Sequence, residues 1–366
     1  MINILVTGVG GPTPRSFVRA VKQSEHSGAE SYRFIGADCD PLAYGLYDRR
    51  LFERCYLVPR ADHRDYWARI NEIIDKEQIR GAVVLPEAEV LEWARNSEKL
   101  ERNIKLHLPP YRLAAALTDK HSMHEYLEGT AMVPKFGKIE PDSYHYNELA
   151  AELGDSFWVR STQGSSGLGS LKIDSESALR QWLSINEGVD QFIATEYLPG
   201  RNMACKMLYF DGDLKRSACA ERVEYIMAKV APSGITGNTS FGRLINEPSL
   251  VERSRQALEM VARKTGTELH GVFTVDYKED SSGDPKITEI NIRHVAFTSS
   301  IAAGGANLPL DTLEALFHTG TDIPRIDYQF SEQLIFLRDV DADPLVIPES
   351  ELLHLSEQAV STRSLS

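Results

Sequence analysis

Two alternating runs joined by a turn-rich stretch constrain this chain more than any other feature. Residues 270–277 (HGVFTVDY) and 286–294 (KITEINIRH) each alternate apolar with polar side chains, the period of a half-buried strand. Between them, residues 278–285 (KEDSSGDP) are dense in turn formers, so the pattern predicts a β-hairpin. A turn centred on Ser282-Gly283 sets Asp276 opposite Glu289, and facing carboxylates repel each other. One reading is an ordinary solvated polar face. The other is a divalent cation held between the two acids, with Asn291 adding a neutral oxygen from the same face. Oxygen-only ligands suit Mg²⁺ or Mn²⁺, and Mg²⁺ usually accompanies phosphates. Arg293 continues the polar line toward an anion.

The chain has 366 residues, 42% hydrophobic and 25% charged, which fits a globular protein of two or three domains. A net charge of -13 with no compensating basic block argues against nucleic acid or a membrane surface as partner. The four cysteines, Cys39, Cys55, Cys205 and Cys219, show no CxxC spacing and read as reduced and structural. Residues 1–7 are apolar over only a strand's length, and no run reaches membrane-spanning length. A cytoplasmic location is expected.

The first part of the chain alternates strand-like runs at 3–7, 33–38, 54–59 and 81–86 with helical periodicity from near Arg15 and over 64–78, which predicts a parallel, Rossmann-like sheet. Gly8, Gly10 and Gly11 make a poor dinucleotide fingerprint, since the third glycine falls early and two prolines follow. A helix is predicted from Thr118 as N-cap to the break before Val133-Pro134. Further on come a strand near Phe136, a helix over 146–153 and a strand over 156–160. The Gly/Ser segment 161–169 (STQGSSGLG) and a strand resuming at 170–173 then form a flexible hairpin whose amides can wrap phosphate oxygens. A helix over 176–185, a strand over 191–200, a hairpin turning at 210–213 and a helix over 249–265 lead into the opening pair. Beyond 321 only a strand over 333–338 and an irregular tail are expected.

In this order the elements resemble the ATP-grasp superfamily, and within it the ligases related to the large chain of carbamoyl phosphate synthetase, over residues 2–320. The anchors are Asp119-Lys120, the segment 158–169 (WVRSTQGSSGLG), the linker 196–200 (EYLPG), and Asp276 with 289–293 (EINIR). The resemblance implies a mixed fold, α/β with an α+β C-terminal part. It divides into a Rossmann-like domain over 1–116, a mobile lid over 117–197, an antiparallel-sheet subdomain over 198–325 and an extension over 326–366. It implies ATP, with Lys120 and Arg160 on its phosphates and the loop Gly164, Ser165, Ser166, Gly167 to Gly169 closing over them. Glu196 and the backbone of Tyr197 and Leu198 would read adenine. Asp276, Glu289 and Asn291 would hold two Mg²⁺ ions, and Arg293 the transferred phosphoryl group. Four positions depart from the family pattern: arginine at 160 where lysine is commoner, Asn202 in place of a ribose-binding glutamate, Ile292 for a proline, and Lys206 where relatives carry an acid.

By the same resemblance, a carboxylate attacks the γ-phosphate to give an acyl phosphate, and an amine then displaces phosphate to form an amide. No protein nucleophile is needed, in keeping with the lack of a nucleophile-elbow or Cys/His signature. Lys206, Arg222 and Arg243 are expected near the site, where with Arg293 they would favour a small anionic carboxylate. The rival functions are a kinase that stops at phosphoryl transfer, an NAD enzyme, and a noncatalytic ATP-sensing module. A homodimer is the commonest prior for such a chain.

Overall fold

The computed structural model of the chain describes residues 1–24, 32–164, 169–317, 323–339 and 345–349. Its first sheet is parallel and five-stranded, built from β1 (Ile2–Thr7), β2 (Tyr32–Asp38), β3 (Arg54–Leu57), β4 (Gly81–Val83) and β5 (Lys105–Leu106) in the order β3-β2-β1-β4-β5. Crossover helices α1 (Pro12–Ser24), α2 (Tyr66–Lys76) and α3 (Glu87–Asn96) cover it, as parallel strands require. Leu5 and Ile35 face a core with Ile70, Ile73 and Trp93, while Ile4, Val6 and Phe34 face Phe17 and Val21. α1 starts at Pro12, earlier than the helical periodicity indicates, because prolines fit a first turn whose N–H groups have no intrahelical acceptor. Gly8 just before it holds φ +66°, and a Cβ there would stand 2.2 Å from Pro86 Cγ.

Helices α4 (Tyr111–Thr118) and α5 (Lys120–Tyr126) follow. The helix expected from Thr118 to the break before Val133 is therefore shorter, running over Lys120–Tyr126, and Thr118 instead ends the helix before it. Asp119 is extended and caps α5, its Oδ1 accepting the Ser122 N–H at 2.9 Å. The second sheet comprises β6 (Phe136–Ile139), β7 (Phe157–Ser161), β8 (Leu171–Ile173) and β9 (Phe192–Glu196) in the order β6-β9-β7-β8, with α6 (Tyr146–Leu153) and α7 (Glu176–Ile185) supplying its small core.

The third sheet is the largest. It contains β10 (Asn202–Phe210), β11 (Asp213–Tyr225), β12 (Thr239–Ile245), β13 (Gly271–Glu279), β14 (Pro285–Asn291), β15 (Ile326–Asp327), β16 (Leu334–Leu337) and β17 (Leu345–Pro348), in the order β14-β13-β10-β11-β12-β16-β17 with β15 beside β11. α8 (Pro248–Thr265) packs Leu258 and Val261 under one face with Met203, Cys205 and Tyr277. The other face is half covered by the turn after β14 and by α9 (Thr298–Ala303) and α10 (Leu308–Phe317), and half open. α10 also reaches back to the first sheet, where Leu313 and Leu316 join Ile4 and Val6. No helix among the described residues is long and apolar enough to cross a membrane.

Candidate functional site

The open half of the third sheet forms one wall of a cavity of about 1360 Å³, whose lining also comes from both other sheets. The hairpin predicted from sequence sets its floor. Asn291, Ile290 and Glu289 pair with Thr274, Val275 and Asp276, as the turn chemistry indicates. Past that point the register slips, so that Tyr277 pairs with Ile287 and Thr288 is bulged. The bulge changes the parity of the strand. Ile287, Ile290 and Ile292 all enter the core, while Glu289 and Asn291 stay on the cavity side. It also frees the Thr288 carbonyl, which accepts a hydrogen bond from Arg160 Nη2.

The two carboxylates each meet a different guanidinium. Arg222 Nη1 lies 3.3 Å from Asp276 Oδ1, and Arg160 Nη1 lies 3.5 Å from Glu289 Oε2. Asn291 Nδ2 donates to Asp276 Oδ2 at 3.1 Å. Burial pushes the Asp276 carboxyl well above its ordinary range against the pull of Arg222, and Glu289 adds to the rise. Burial acts on Glu289 too, but Lys120, Arg160, Arg222 and Arg293 together hold it below the usual carboxylate value. These oxygens fit a hard divalent cation: two carboxylates and a carboxamide share one face, and the amide presents Oδ1 to a metal by a simple flip.

The cationic side is equally concentrated. Lys120, nearly buried, donates from Nζ to the Gly164 carbonyl at 2.7 Å. Burial draws its basicity down while Glu289 opposes. The Nε atoms of Arg160 and Arg293 are buried and have no hydrogen-bond partner among the described residues. Unpaired buried donors are costly, so these two point to an acceptor supplied from outside the chain. Ser165, Ser166 and Gly167 of the expected phosphate loop lie outside the described residues. At the cavity's other end, Glu196 Oε1 accepts the Lys135 N–H at 3.0 Å, and β9 stops there, leaving Tyr197 and Leu198 beyond its ladder. The Tyr197 ring sits under Lys172 Nζ at 4.1 Å. Asn202 Oδ1 accepts from Lys278 Nζ at 3.4 Å.

Two expected site residues stand elsewhere. Arg243 pairs in register with Glu221 and so points to the face opposite Arg222, bound to Glu221 at 3.3 Å and Glu349 at 2.8 Å. Lys206 shares the face of Asp276 but lies under the covered half, with no exposed surface, its Nζ on Thr298 Oγ1 and His294 Nδ1. Neither lines the cavity.

Other lining groups went unnoticed in the sequence. Glu89 is buried in the first turn of α3, where burial raises its carboxyl to about 7 despite hydrogen bonds to Thr7 and Tyr66. The acid pair Glu87 and Glu89 directly after Leu85-Pro86 was the available signal. Residues 225–238 supply a rim from Tyr225 to Asn238, in which the Gly237 carbonyl accepts from Arg222 Nη2 at 2.9 Å.

No family model matches the chain, and no curated protein matches it in sequence. Solved structures do share its architecture. The N5-carboxyaminoimidazole synthetase of Staphylococcus aureus, complexed with ADP, aligns with a TM-score of 0.69 over 92% of this chain and 82% of that one, at 16% identity. The L-amino acid ligase of Bacillus licheniformis aligns at 0.65 over 92% and 79%, with 14% identity. The biotin carboxylase domain of the Hydrogenobacter thermophilus 2-oxoglutarate carboxylase, in complex with MgADP and bicarbonate, aligns at 0.66 over 92% and 74%, with 14% identity. At such identities the likeness is one of fold, and the fold is that of the ATP-grasp enzymes.

Proposed function

We propose that this chain, built on the ATP-grasp fold, is an ATP-dependent ligase that joins a carboxylate to an amine through an acyl phosphate. One observation carries the reading: Asp276, Glu289 and Asn291 face, across one cavity, a set of cations that includes two buried guanidinium N–H groups without partners among the described residues. The neighbours of the same fold that were solved with ADP or with MgADP and bicarbonate support it.

In this reading Lys120 and Arg160 hold the phosphates of ATP, Glu196, Tyr197 and Leu198 meet adenine, and Asn202 approaches the ribose. Asp276, Glu289 and Asn291 would hold magnesium, which would supply positive charge against the triphosphate. Arg293 places its free Nε–H on the phosphoryl oxygens as charge moves there, a contribution of position and electrostatics. Arg222, on the cavity wall beside Asp276, orients the substrate carboxylate, which favours a small anionic acid. The carboxylate oxygen bonds to phosphorus as ADP leaves. The amine nitrogen then bonds to the acyl carbon as inorganic phosphate leaves, and its proton passes to solvent or a cavity carboxylate.

The test is a screen of carboxylic acids crossed with amines for ADP release, with Glu289→Gln as the blank. The expected result is ADP and inorganic phosphate released only with both partners present. ADP release with the carboxylate alone and a stable phosphorylated product would make the chain a kinase. Mg·ATP binding with no ADP from any pair would leave a nucleotide sensor.

A further inference from the structure

Lys206 is a lysine with no exposed surface whose hydrogen-bond partners include no carboxylate among the described residues. An isolated buried ammonium is strongly disfavoured, so the surroundings of this amine matter. Its Nζ contacts Thr298 Oγ1 and lies 3.5 Å from His294 Nδ1. On the far side of the same ring, His294 Nε2 lies 3.0 Å from Thr312 Oγ1. Thr312 already commits its only hydroxyl proton to the Leu308 carbonyl at 2.8 Å. Its oxygen must therefore accept from His294, which puts the imidazole proton on Nε2 and leaves Nδ1 as an acceptor. Lys206 then donates to Nδ1 and to Thr298 Oγ1, which itself lies 3.3 Å from Nδ1.

The chain of donors runs in one direction, from Lys206 through His294 and Thr312 to Leu308, and both acceptors around the amine, Thr298 Oγ1 and His294 Nδ1, are neutral, so neither offsets a charge on the lysine. Burial acts the same way, drawing both Lys206 and His294 well below their ordinary values. The His294 ring is also held edge-on by Phe17 at 5.1 Å. What the ring anchors is its own backbone: the His294 carbonyl accepts from Arg293 Nη1 at 3.0 Å, and the Arg293 carbonyl accepts from Thr274 Oγ1 at 3.4 Å.

We infer that Lys206 is a positioning residue, whose hydrogen bond to His294 fixes the turn after β14 and so aims Arg293 at the transferred phosphoryl group. The inference rests on the role proposed above for Arg293. It predicts that Lys206 matters to the transition state and little to nucleotide affinity.

The experiment compares wild type, Lys206→Met and Lys206→Gln by titrating Mg·ADP with and without aluminium fluoride, a planar stand-in for the phosphoryl group. In Lys206→Met, about tenfold or more of the fluoride-dependent tightening should vanish, equivalent to roughly 1.4 kcal/mol, while Mg·ADP alone changes little. Lys206→Gln, which keeps a neutral donor, should retain most of it. Either variant exchanges a buried amine for a group of similar length, and an apolar replacement at such a site is often neutral or stabilising. Equal loss in both titrations, or no loss, overturns the inference. A long-range ¹H–¹⁵N spectrum of the histidine rings supplies an independent reading: wild-type His294 should be the Nε2–H tautomer, and Lys206→Met should change its ring resonances. An Nδ1–H or doubly protonated ring, or a spectrum untouched by Lys206→Met, also overturns it. If wild type gains nothing from aluminium fluoride, the phosphoryl-transfer reading fails, and the ring spectrum alone decides whether Lys206 sets His294.

Discussion

Asp276 and Glu289 stand opposite each other across β13 and β14, yet each is held by its own arginine, Arg222 at 3.3 Å and Arg160 at 3.5 Å. The arrangement keeps two like charges together by dividing the countercharge between two segments of the chain. A cation bound between the acids would take over both roles and release both arginines to anions.

The acid whose carboxyl is raised sets the pH response. Asp276 is pushed up to about 6 by burial, eased by Arg222, so its contribution to stability is present below the unfolded carboxylate range and is lost as pH rises through about 6. Magnesium binds the ionised form. The thermal stabilisation by Mg²⁺ should thus be large at pH 7.5 and shrink toward pH 5, with apparent affinity falling about tenfold for each pH unit below the midpoint. An equal rise in Tm at both pH values would remove Asp276 from the metal site.

Arg222 touches Asp276, Thr239 and the Gly237 carbonyl and stacks beside Phe297, at the cavity wall. Arg222→Ala should raise the KM for the carboxylate by about tenfold to a hundredfold, the loss expected of a charge-assisted contact, while the KM for ATP moves far less. Initial rates with each substrate varied in turn measure this.

Glu89 titrates near neutrality in the folded chain, its carboxyl raised by burial from 4.5 to about 7. Its stabilising contribution is complete below the unfolded value and disappears as pH climbs through 7. Glu89→Gln should therefore gain on wild type between pH 5 and pH 8, by up to about 3 kcal/mol, since each tenfold change in proton affinity is worth roughly 1.4 kcal/mol. Denaturant midpoints at the two pH values decide it.

Gly242 pairs with Arg222 across β11 and β12, and a Cβ there would stand 2.3 Å from Phe336 Cζ and 2.5 Å from the Glu221 carbonyl. Gly242→Ala should cost about 1–3 kcal/mol, as overpacking does, and weaken carboxylate binding by displacing Arg222. Unchanged stability would mean that the strand opens freely.

The acid pair was legible in the sequence because alternation and turn chemistry are local. Asp276 and Glu289 are separated by a turn whose residues announce it, so their pairing needs no knowledge of the rest of the chain. Even the bulge at Thr288 left that pairing intact. Arg243 was misplaced because its face depends on which residue it meets across the ladder: it pairs with Glu221, one place from Arg222, and nothing local announces that register. Lys206 was misplaced for another reason. It lies on the expected face, but His294 and Thr298 cover it, and coverage by distant segments leaves no mark on the strand itself. The helix start at Asp119 escaped because Thr118 and Asp119 are both good caps, and only the extended backbone at Asp119 selects between them.

α10 closes the first sheet from a place late in the chain. Leu313 and Leu316 complete the face that carries Ile4, Val6 and Phe34, and the Phe317 ring lies against Gly81. During synthesis, the strands made first must wait with that side covered by α1 but not by α10 until nearly the whole chain has emerged. The order of translation and the order of completion are thus opposed, and a fragment ending at residue 116 would leave the part of that face under Leu313 and Leu316 open to its neighbours.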